Sequence, residues 1–462
     1  MEIPISLDAD SRQCLQAQLY EQVRTLILGG RLKPGTPLPA SRSLVEQLGV
    51  SRNTVLLAYE RLIAEGYLET HRTRGTFVSR ELPEQCLTAN AHAPGKLAMP
   101  GDAPRARPPL AFEGRAQAVV SPHRFVHDFW LGRPDPHSFP AKTWRYLLNR
   151  VMLTAGTRLT EYLDPAGAPE LRRAIARHLG PSRGIDADPD QVIVVAGCQE
   201  ALNVAARLLV REGTQVAIEN PAYQGAAYLF ASYRARLLPV AVDDNGMRVE
   251  RLPSKGVTLA YVTPSHQYPL GFTLSLERRL RLLEWARRSG AYILEDDYDS
   301  DFRYRGSPLA ALMGFDNDGH VIYVGTFSKS IGAGLRLGYL VVPRHLVESA
   351  RTVKALLDNG HPWLEQAVLA EFIGSGAYER HLRKIRHIYG ARRDCLLDCL
   401  RKHFGDVVVS GTESGMHVAW HLATGLPTAA ELQELAARRG VGIYSLRSGA
   451  AHDFGGCPYS ER

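Results

Sequence analysis

A lysine that directly follows a buried strand constrains this chain most. Residues 320–324 form an apolar, β-branched run typical of an inner strand of a parallel sheet, and GTFSKS, residues 325–330, follows at once. An amine there, at Lys329, can form a Schiff base with a carbonyl when it is partly desolvated. Hydroxyls at Thr326 and Ser328, with the guanidinium of Arg336, would hold a phosphate nearby. These groups predict a phosphate-bearing aldehyde as ligand, and pyridoxal phosphate fits.

A second strand end supplies complementary groups. Residues 291–294 form another strand-like run, and EDDYDSDF, residues 295–302, follows it. A carboxylate at Asp296 can pair with a protonated pyridine nitrogen, and the phenol of Tyr298 can hydrogen-bond a ring oxygen. Taken alone, a Ser-Lys-Ser segment is more often solvated surface, so the pairing of the two strand ends carries the prediction.

The first 80 residues show a different pattern, typical of DNA binding. Apolar residues at helical spacing predict a helix that ends at Gly29, and two shorter helices are predicted at 42–48 and 52–65, with Ser51 as the cap of the second. Two short strands around residues 71–75 predict a basic wing. Residues 24–80 contain nine Lys or Arg and only four acidic residues. This excess of positive charge suits a partner with a phosphate backbone.

Both patterns together resemble the MocR/GabR regulators. The resemblance rests on EDDYDSDF and GTFSKS, and on residues 38–78, LPASRSLVEQLGVSRNTVLLAYERLIAEGYLETHRTRGTFV. It implies an α/β chain with a GntR-type winged helix-turn-helix domain (1–80), a flexible linker rich in Pro, Ala and Gly (81–121) and an aminotransferase-like effector domain (122–462). The last would be a pyridoxal-phosphate-dependent transferase fold of type I, with a mainly parallel sheet and a smaller C-terminal α+β domain.

The resemblance also implies which residues approach DNA. Arg52 is the expected base reader, since a bidentate guanidinium suits guanine, and Arg42 and Arg72 are expected on phosphates. The full predicted set is Arg42, Ser51, Arg52, Thr54, Arg72 and Gly75. The alternative is a small helical bundle with a solvated basic face.

Further cofactor residues follow from strand-to-helix turns and from the resemblance. Gly197, Cys198 and Gln199 open a predicted helix whose backbone amides could bind phosphate, although an ordinary turn is the alternative. Tyr223 would stack on the cofactor ring. Tyr268 stands where working aminotransferases of this type carry asparagine. Arg447 is the predicted clamp for an effector carboxylate, with a solvated loop arginine as the alternative.

These elements predict a cytoplasmic transcriptional regulator. The resemblance implies a homodimer that reads two half-sites of double-stranded DNA and senses a small amino compound through a Schiff base on Lys329. No metal site, membrane segment or disulfide is expected. A regulator of this kind is compatible with residual half-transamination. The rival interpretation is a catalytically active aminotransferase with an appended DNA-binding head. A third alternative is a DNA-binding protein with an inert scaffold.

Overall fold

The chain divides into two compact units, and the division lies inside the predicted linker. The computed structural model describes residues 3–11, 13–71, 74–82, 125–304, 309–457 and 459. The chain is divided between residues 111 and 112, and most of the predicted linker lies outside the described residues. The predicted domain boundaries therefore remain predictions. No helix in the described ranges combines the length and the apolar composition needed to cross a membrane.

The first unit is a winged helix-turn-helix, as predicted. Its helices are α1 (Leu15–Leu28), α2 (Ser41–Leu48) and α3 (Arg52–Ala64), and its wing is an antiparallel hairpin of β1 (Leu68–His71) and β2 (Gly75–Val78). Residues spaced at three and four along the helices close on one apolar core, which includes Leu19, Val23, Leu44, Val55, Leu62 and Val78.

Local capping explains where the helices of this unit begin. The Ser51 side chain accepts a hydrogen bond from the Thr54 amide at 3.2 Å, which satisfies a free N–H at the start of α3. Helix α2 begins at Ser41, one residue before the predicted start, and Ala40 precedes it without a side-chain bond.

An eight-stranded sheet organises the second unit. Its strands are β4 (Val192–Val195), β5 (Gln215–Asn220), β7 (Arg236–Asp243), β8 (Gly246–Met247), β9 (Val257–Val262), β10 (Tyr292–Asp297), β11 (Val321–Thr326) and β12 (Gly338–Val341). Their order is β4-β12-β11-β10-β9-β5-β7-β8. Only β12 and the edge strand β8 run against their neighbours, so the sheet is mainly parallel, as predicted.

Helices cover both faces of this sheet. They are α4 (Ala141–Leu153), α5 (Pro169–Arg183), α6 (Cys198–Leu209), α7 (Gln224–Ser232), α8 (Leu276–Ser289), α9 (Val347–Asp358) and α10 (Trp363–Gly374). Alternate residues of a strand face opposite sides, so Val194 packs in one apolar core and Ile193 in the other. This two-faced burial explains why the central part of each inner strand is apolar, with polar residues confined to the strand ends.

The C-terminal part adds a smaller α+β region. It contains the long helix α11 (Ala377–Phe404), the hairpin of β13 (Val408–Ser410) and β14 (Ala419–His421), helix α12 (Ala429–Ala437), and two short strands, β15 (Val441–Gly442) and β16 (Ala451–His452). The short strands return to the earlier chain: β15 pairs with β3 (His127–Asp128), and β16 pairs with β6 (Ala222–Tyr223).

Candidate functional site

The ends of the parallel strands converge on one cavity of about 380 Å³, which we call the cofactor cavity. Gly197 follows β4, Thr263 follows β9, Asp296 is the penultimate residue of β10, and Lys329 follows β11. Nine of the ten predicted cofactor residues line this cavity, namely Cys198, Gln199, Tyr223, Asp296, Tyr298, Thr326, Ser328, Lys329 and Arg336. The tenth, Gly197, adjoins Arg336.

Lys329 reaches the cavity from a single π-helical turn, Ser328–Gly332. Its Nζ donates a hydrogen bond to the Gly132 carbonyl oxygen at 2.8 Å. Burial lowers the pKa of the Lys329 amine below its usual value, and the nearby carboxylates of Asp299 and Asp296 only partly oppose that effect. A larger neutral fraction makes the amine a better nucleophile toward a carbonyl.

Asp296 offers one oxygen that has no partner. Its Oδ2 accepts hydrogen bonds from the Tyr261 hydroxyl at 2.7 Å and from the Cys198 thiol at 3.1 Å. Its Oδ1 is buried, and nothing in the described part of the chain bonds it. Burial raises the pKa of Asp296 to about 6. A protonated pyridine nitrogen would satisfy Oδ1 and hold the carboxylate charged, so this end of the cavity fits pyridoxal phosphate.

The side chain and the backbone of Cys198 lie at different places in the cavity. The sequence groups it with the phosphate turn, yet its thiol points at the Asp296 carboxylate. Burial and that carboxylate together raise the pKa of the Cys198 thiol well above its usual value. The side chain is thus a neutral donor near the ring-nitrogen position, while its backbone remains at the start of α6.

The predicted phosphate turn has the geometry of an anion cradle. Gly197, with φ 88° and ψ −178°, stands in a region of backbone space that essentially only glycine occupies. The Arg336 guanidinium donates to the Ala196 carbonyl oxygen, directly beside Gly197. Across from it, Thr326 Oγ1 accepts from the Ser328 amide at 3.2 Å. A phosphate here would meet a helix start, a guanidinium and two hydroxyls.

Two charged residues that sequence reasoning missed, one partly and one fully buried, fix this turn. The Glu200 carboxylate accepts from the Ala196 amide and from the Lys354 Nζ. Lys354 on α9 is fully buried and also bonds Asp358 at 2.5 Å. Glu200 lies in the first turn of α6, so its ion pair with Lys354 holds the start of the helix on which the phosphate site depends.

Aromatic side chains form the cavity wall. The Tyr223 hydroxyl donates to Gln199 Oε1 at 3.3 Å, and the Tyr223 ring meets the Tyr268 ring edge-on, with centroids 5.8 Å apart. Behind Tyr223, β6 pairs with β16, and the Gln224 amide bonds the Ala450 carbonyl oxygen at 2.9 Å. Ala450 itself lines the cavity. The cavity wall is thus built from β6 and from the C-terminal segment that leads into β16.

A buried histidine and aspartate, also missed from sequence, lie beneath Tyr298. The Tyr298 hydroxyl donates to the His266 carbonyl oxygen at 3.0 Å, and His266 Nδ1 lies 2.9 Å from Asp299 Oδ2. Their side-chain ligand atoms and those of His417 lie within 4.8 Å of one another. Within this group, Asp299 also accepts from the Met416 amide, and His417 Nε2 bonds the Pro269 carbonyl oxygen, whereas His266 Nε2 is buried without a partner among the described residues. We therefore interpret it as a hydrogen-bond network that orients Tyr298.

Arg447 does not join the site. It lies in an exposed turn, and it is absent from the cavity lining, so the geometry gives no support to the predicted carboxylate clamp. A clamp would have to come within hydrogen-bond reach of the ligand. The solvated alternative describes the position of Arg447 better.

The predicted DNA-facing residues group at the start of two helices and the wing. Arg42 on α2 and Arg52 on α3 are exposed, and Gly75 begins β2. Ser51 and Thr54 bond each other at 2.9 Å between their hydroxyls, which gives them a capping role at the same helix end. Arg72 lies outside the described residues.

Replacing Gly197 with alanine tests the anion cradle. An alanine would be strained there by about 1–3 kcal/mol, and its Cβ would stand 3.0 Å from Arg336 Nη2. We expect affinity for pyridoxal phosphate to fall roughly tenfold or more, measured by fluorescence titration. Gly180→Ala on α5 is the matched control, because no heavy atom lies within 4 Å of its Cβ. Equal affinity in both variants would contradict the cradle.

Both units of the chain match known protein families. Residues 15–78 match the model of bacterial regulatory proteins of the gntR family, and residues 129–449 match aminotransferase class I and II. The chain is 40% identical over 416 residues to the probable rhizopine catabolism regulatory protein MocR of Rhizobium meliloti, covering 89% of this chain and 82% of that protein. It is 34% identical over 448 residues to the transcriptional regulator TauR of Rhodobacter capsulatus, covering 95% and 90%.

Solved structures resemble the second unit. The kynurenine aminotransferase of Pyrococcus horikoshii, solved in complex with PMP, superposes with a TM-score of 0.64 at 30% identity, covering 70% of this chain and 82% of that one. LysN, the α-aminoadipate aminotransferase of Thermus thermophilus, gives 0.62 at 25% identity, covering 70% and 82%. Its ligand is a phosphopyridoxyl-leucine, so a pyridoxal cofactor occupies this fold in both relatives.

Proposed function

From the premise that this chain belongs to the MocR type of GntR-family transcriptional regulators, we propose that its second unit senses a small amino compound through pyridoxal phosphate held at Lys329. The observation that carries the proposal is the placement of the Lys329 amine and the unpaired Asp296 Oδ1 in one cavity. When bound, the cofactor supplies an aldehyde that reacts with primary amines and a ring that withdraws electrons.

The chain's own residues would bind and orient that cofactor. Asp296 would hold the proton on the ring nitrogen, and Tyr298, oriented by His266, would hydrogen-bond the ring oxygen. Tyr223 would stack on the ring face, which adds about 0.5–1.5 kcal/mol beyond burial. Arg336 and the turn at Gly197 would hold the phosphate. An incoming amine would compete with Lys329 for the aldehyde, so amine binding and release of the lysine would be linked.

The response would reach DNA as a difference in affinity between two states of the protein. A ligand can shift such an equilibrium only by binding one state more tightly, and coupling of this kind is typically about 1–3 kcal/mol. We propose that amine binding changes operator affinity by roughly 5- to 150-fold. The direction of that change decides whether the regulator activates or represses.

We further propose a homodimer, so that two winged helices read two half-sites. Exposed apolar side chains support it, because Leu153 is 88% exposed and Tyr162 is 90% exposed, which a lone chain would leave in water. Both lie on the segment around and after α4. Closed two-fold symmetry is the commonest arrangement for such a self-complementary surface.

The rival, an aminotransferase with an appended DNA-binding head, draws on the same cavity residues. The named regulators among the relatives favour sensing, and the completeness of the cofactor cavity favours catalysis. We propose that the chain acts as a sensor without sustained turnover. The distinction is quantitative, since an enzyme must complete many cycles between an amino donor and a keto acid.

One experiment separates these functions. Cofactor-loaded, full-length protein is mixed with the DNA upstream of its own coding sequence, and operator affinity is measured by fluorescence anisotropy while primary amines are screened. The expected result is salt-dependent DNA binding that one class of amine changes by roughly fivefold or more. Sustained transamination with no effect of amines on DNA affinity would instead establish the enzyme.

A further inference from the structure

A second, larger cavity of about 770 Å³ lies in the same unit and shares no lining residue with the cofactor cavity. Helix α5, the start of α11 and the segment after β10 enclose it. Five arginines line it against two acidic side chains: Arg177, Arg183, Arg303, Arg383 and Arg386, with Asp301 and Glu379. We call it the arginine cavity. A space with this excess of guanidinium groups attracts anions.

The two acidic side chains do not neutralise the arginines. The Asp301 carboxylate accepts from the Tyr378 hydroxyl at 2.8 Å, and Glu379 lies 3.7 Å from His178. Of the arginines, Arg183 is ion-paired with Asp297 at 2.7 Å. Arg177, Arg303 and Arg383 have no acidic partner anywhere in the described ranges. Positive charge is therefore left over in the cavity.

The innermost part of the cavity carries polar atoms without partners. An isolated β-bridge joins Arg303 to Ser414, so their side chains belong to one small patch. Arg303 Nε and Ser414 Oγ are both buried, and neither has a hydrogen-bond partner among the residues that the structure describes. Ser414 is only 5% exposed. Buried donors without acceptors are costly, and an oxygen of a bound anion would satisfy both.

We propose that the arginine cavity binds a small, multiply charged oxyanion, carrying phosphate or several carboxylate groups, at a site separate from the cofactor. Guanidinium forks and a hydroxyl are the donors that recognise such oxygens in fixed geometry. The buried position of Ser414 favours a small molecule over nucleic acid, whose phosphates contact exposed side chains. A bound anion would also link α5 on the sheet to α11, and would stabilise their present arrangement.

Calorimetric titration of the cofactor-loaded, full-length protein tests the site, because loading fills the cofactor's own phosphate cradle. One arm uses pyrophosphate and the other uses citrate, both at constant ionic strength set with sodium chloride. We expect saturable binding in at least one arm, and a rise in the melting temperature with the same anion. Pyrophosphate binding would assign a phosphate ligand, and citrate binding would assign a polycarboxylate.

Variants locate the binding. Arg303→Gln should weaken the affinity at least tenfold, and Ser414→Ala should weaken it severalfold without removing a charge. Arg173→Gln is the control, because Arg173 is exposed on α5 and does not line the cavity. The proposal is overturned if neither anion binds, or if Arg303→Gln and Ser414→Ala both leave the affinity unchanged. Circular dichroism of each variant shows that a loss of anion binding does not come from unfolding.

Discussion

Lys329→Ala should yield a folded protein that no longer holds pyridoxal phosphate covalently. The Lys329 amine is the one that reaches the cofactor cavity, where burial lowers its pKa and favours attack on the aldehyde. The wild-type protein should be yellow and should retain the cofactor after borohydride reduction and denaturation. The variant should retain none, a complete loss that absorbance and mass spectrometry of the intact chain will measure.

A surface lysine provides the control for this experiment. Lys384 lies exposed on α11, outside both cavities, so Lys384→Ala should keep the full chromophore. Lys329→Ala should also lose any response of DNA binding to amines while its basal DNA affinity stays the same. A Lys329→Ala protein with an intact, borohydride-reducible chromophore would contradict the assignment of the attachment site.

Arg52→Ala should remove most of the protein's discrimination between its operator and unrelated DNA. Arg52 is exposed at the first position of α3, the helix that a helix-turn-helix places in the major groove. A bidentate contact to guanine is worth about 1–3 kcal/mol, so operator affinity should fall roughly 5- to 150-fold. Anisotropy titrations with operator and with a scrambled duplex of equal length will measure the ratio.

Arg42→Ala provides the comparison within the same domain. Arg42 is predicted to contact a phosphate, so its loss should lower the affinity for both duplexes by the same factor. It should also reduce the slope of log affinity against log salt concentration by about one unit. The assignment of Arg52 to base reading fails if Arg52→Ala also weakens both duplexes by the same factor.

Sequence patterns predicted the sheet well because its inner strands are buried on both faces. Runs such as residues 321–324 are apolar throughout, and such a run can be recognised without knowing which strands lie beside it. Strand β7 was not among the predicted strands, and a proline such as Pro239 is unfavourable in the middle of an inner strand. In the structure Pro239 stands opposite Ile218 in the parallel pairing with β5, and β8 pairs with β7 only at its last two residues.

The candidate site likewise contains some residues that the sequence predicts and others that it does not. Lys329 and Asp296 stand directly at strand ends, where chain order alone shows that they converge. Tyr261, His266 and Lys354 act through partners that lie 33 or more residues away in the chain, which are Asp296, Asp299 and Glu200 respectively. Their roles depend on burial, which a single sequence does not reveal. Arg447 shows the converse, since its residue type fits a clamp but the structure does not place it in the cavity lining.

The pairing of β16 with β6 ties the cavity to the C-terminal segment. Ala451 stands opposite Tyr223 in that ladder, and Ala450 forms part of the cavity wall. An effector too bulky to fit against Tyr223 must therefore push two distant stretches of the chain apart at once. The size of the ligand would then determine the strain on β16. Compounds that carry the same reactive group but differ in bulk should therefore differ in how strongly they change the DNA affinity of the regulator.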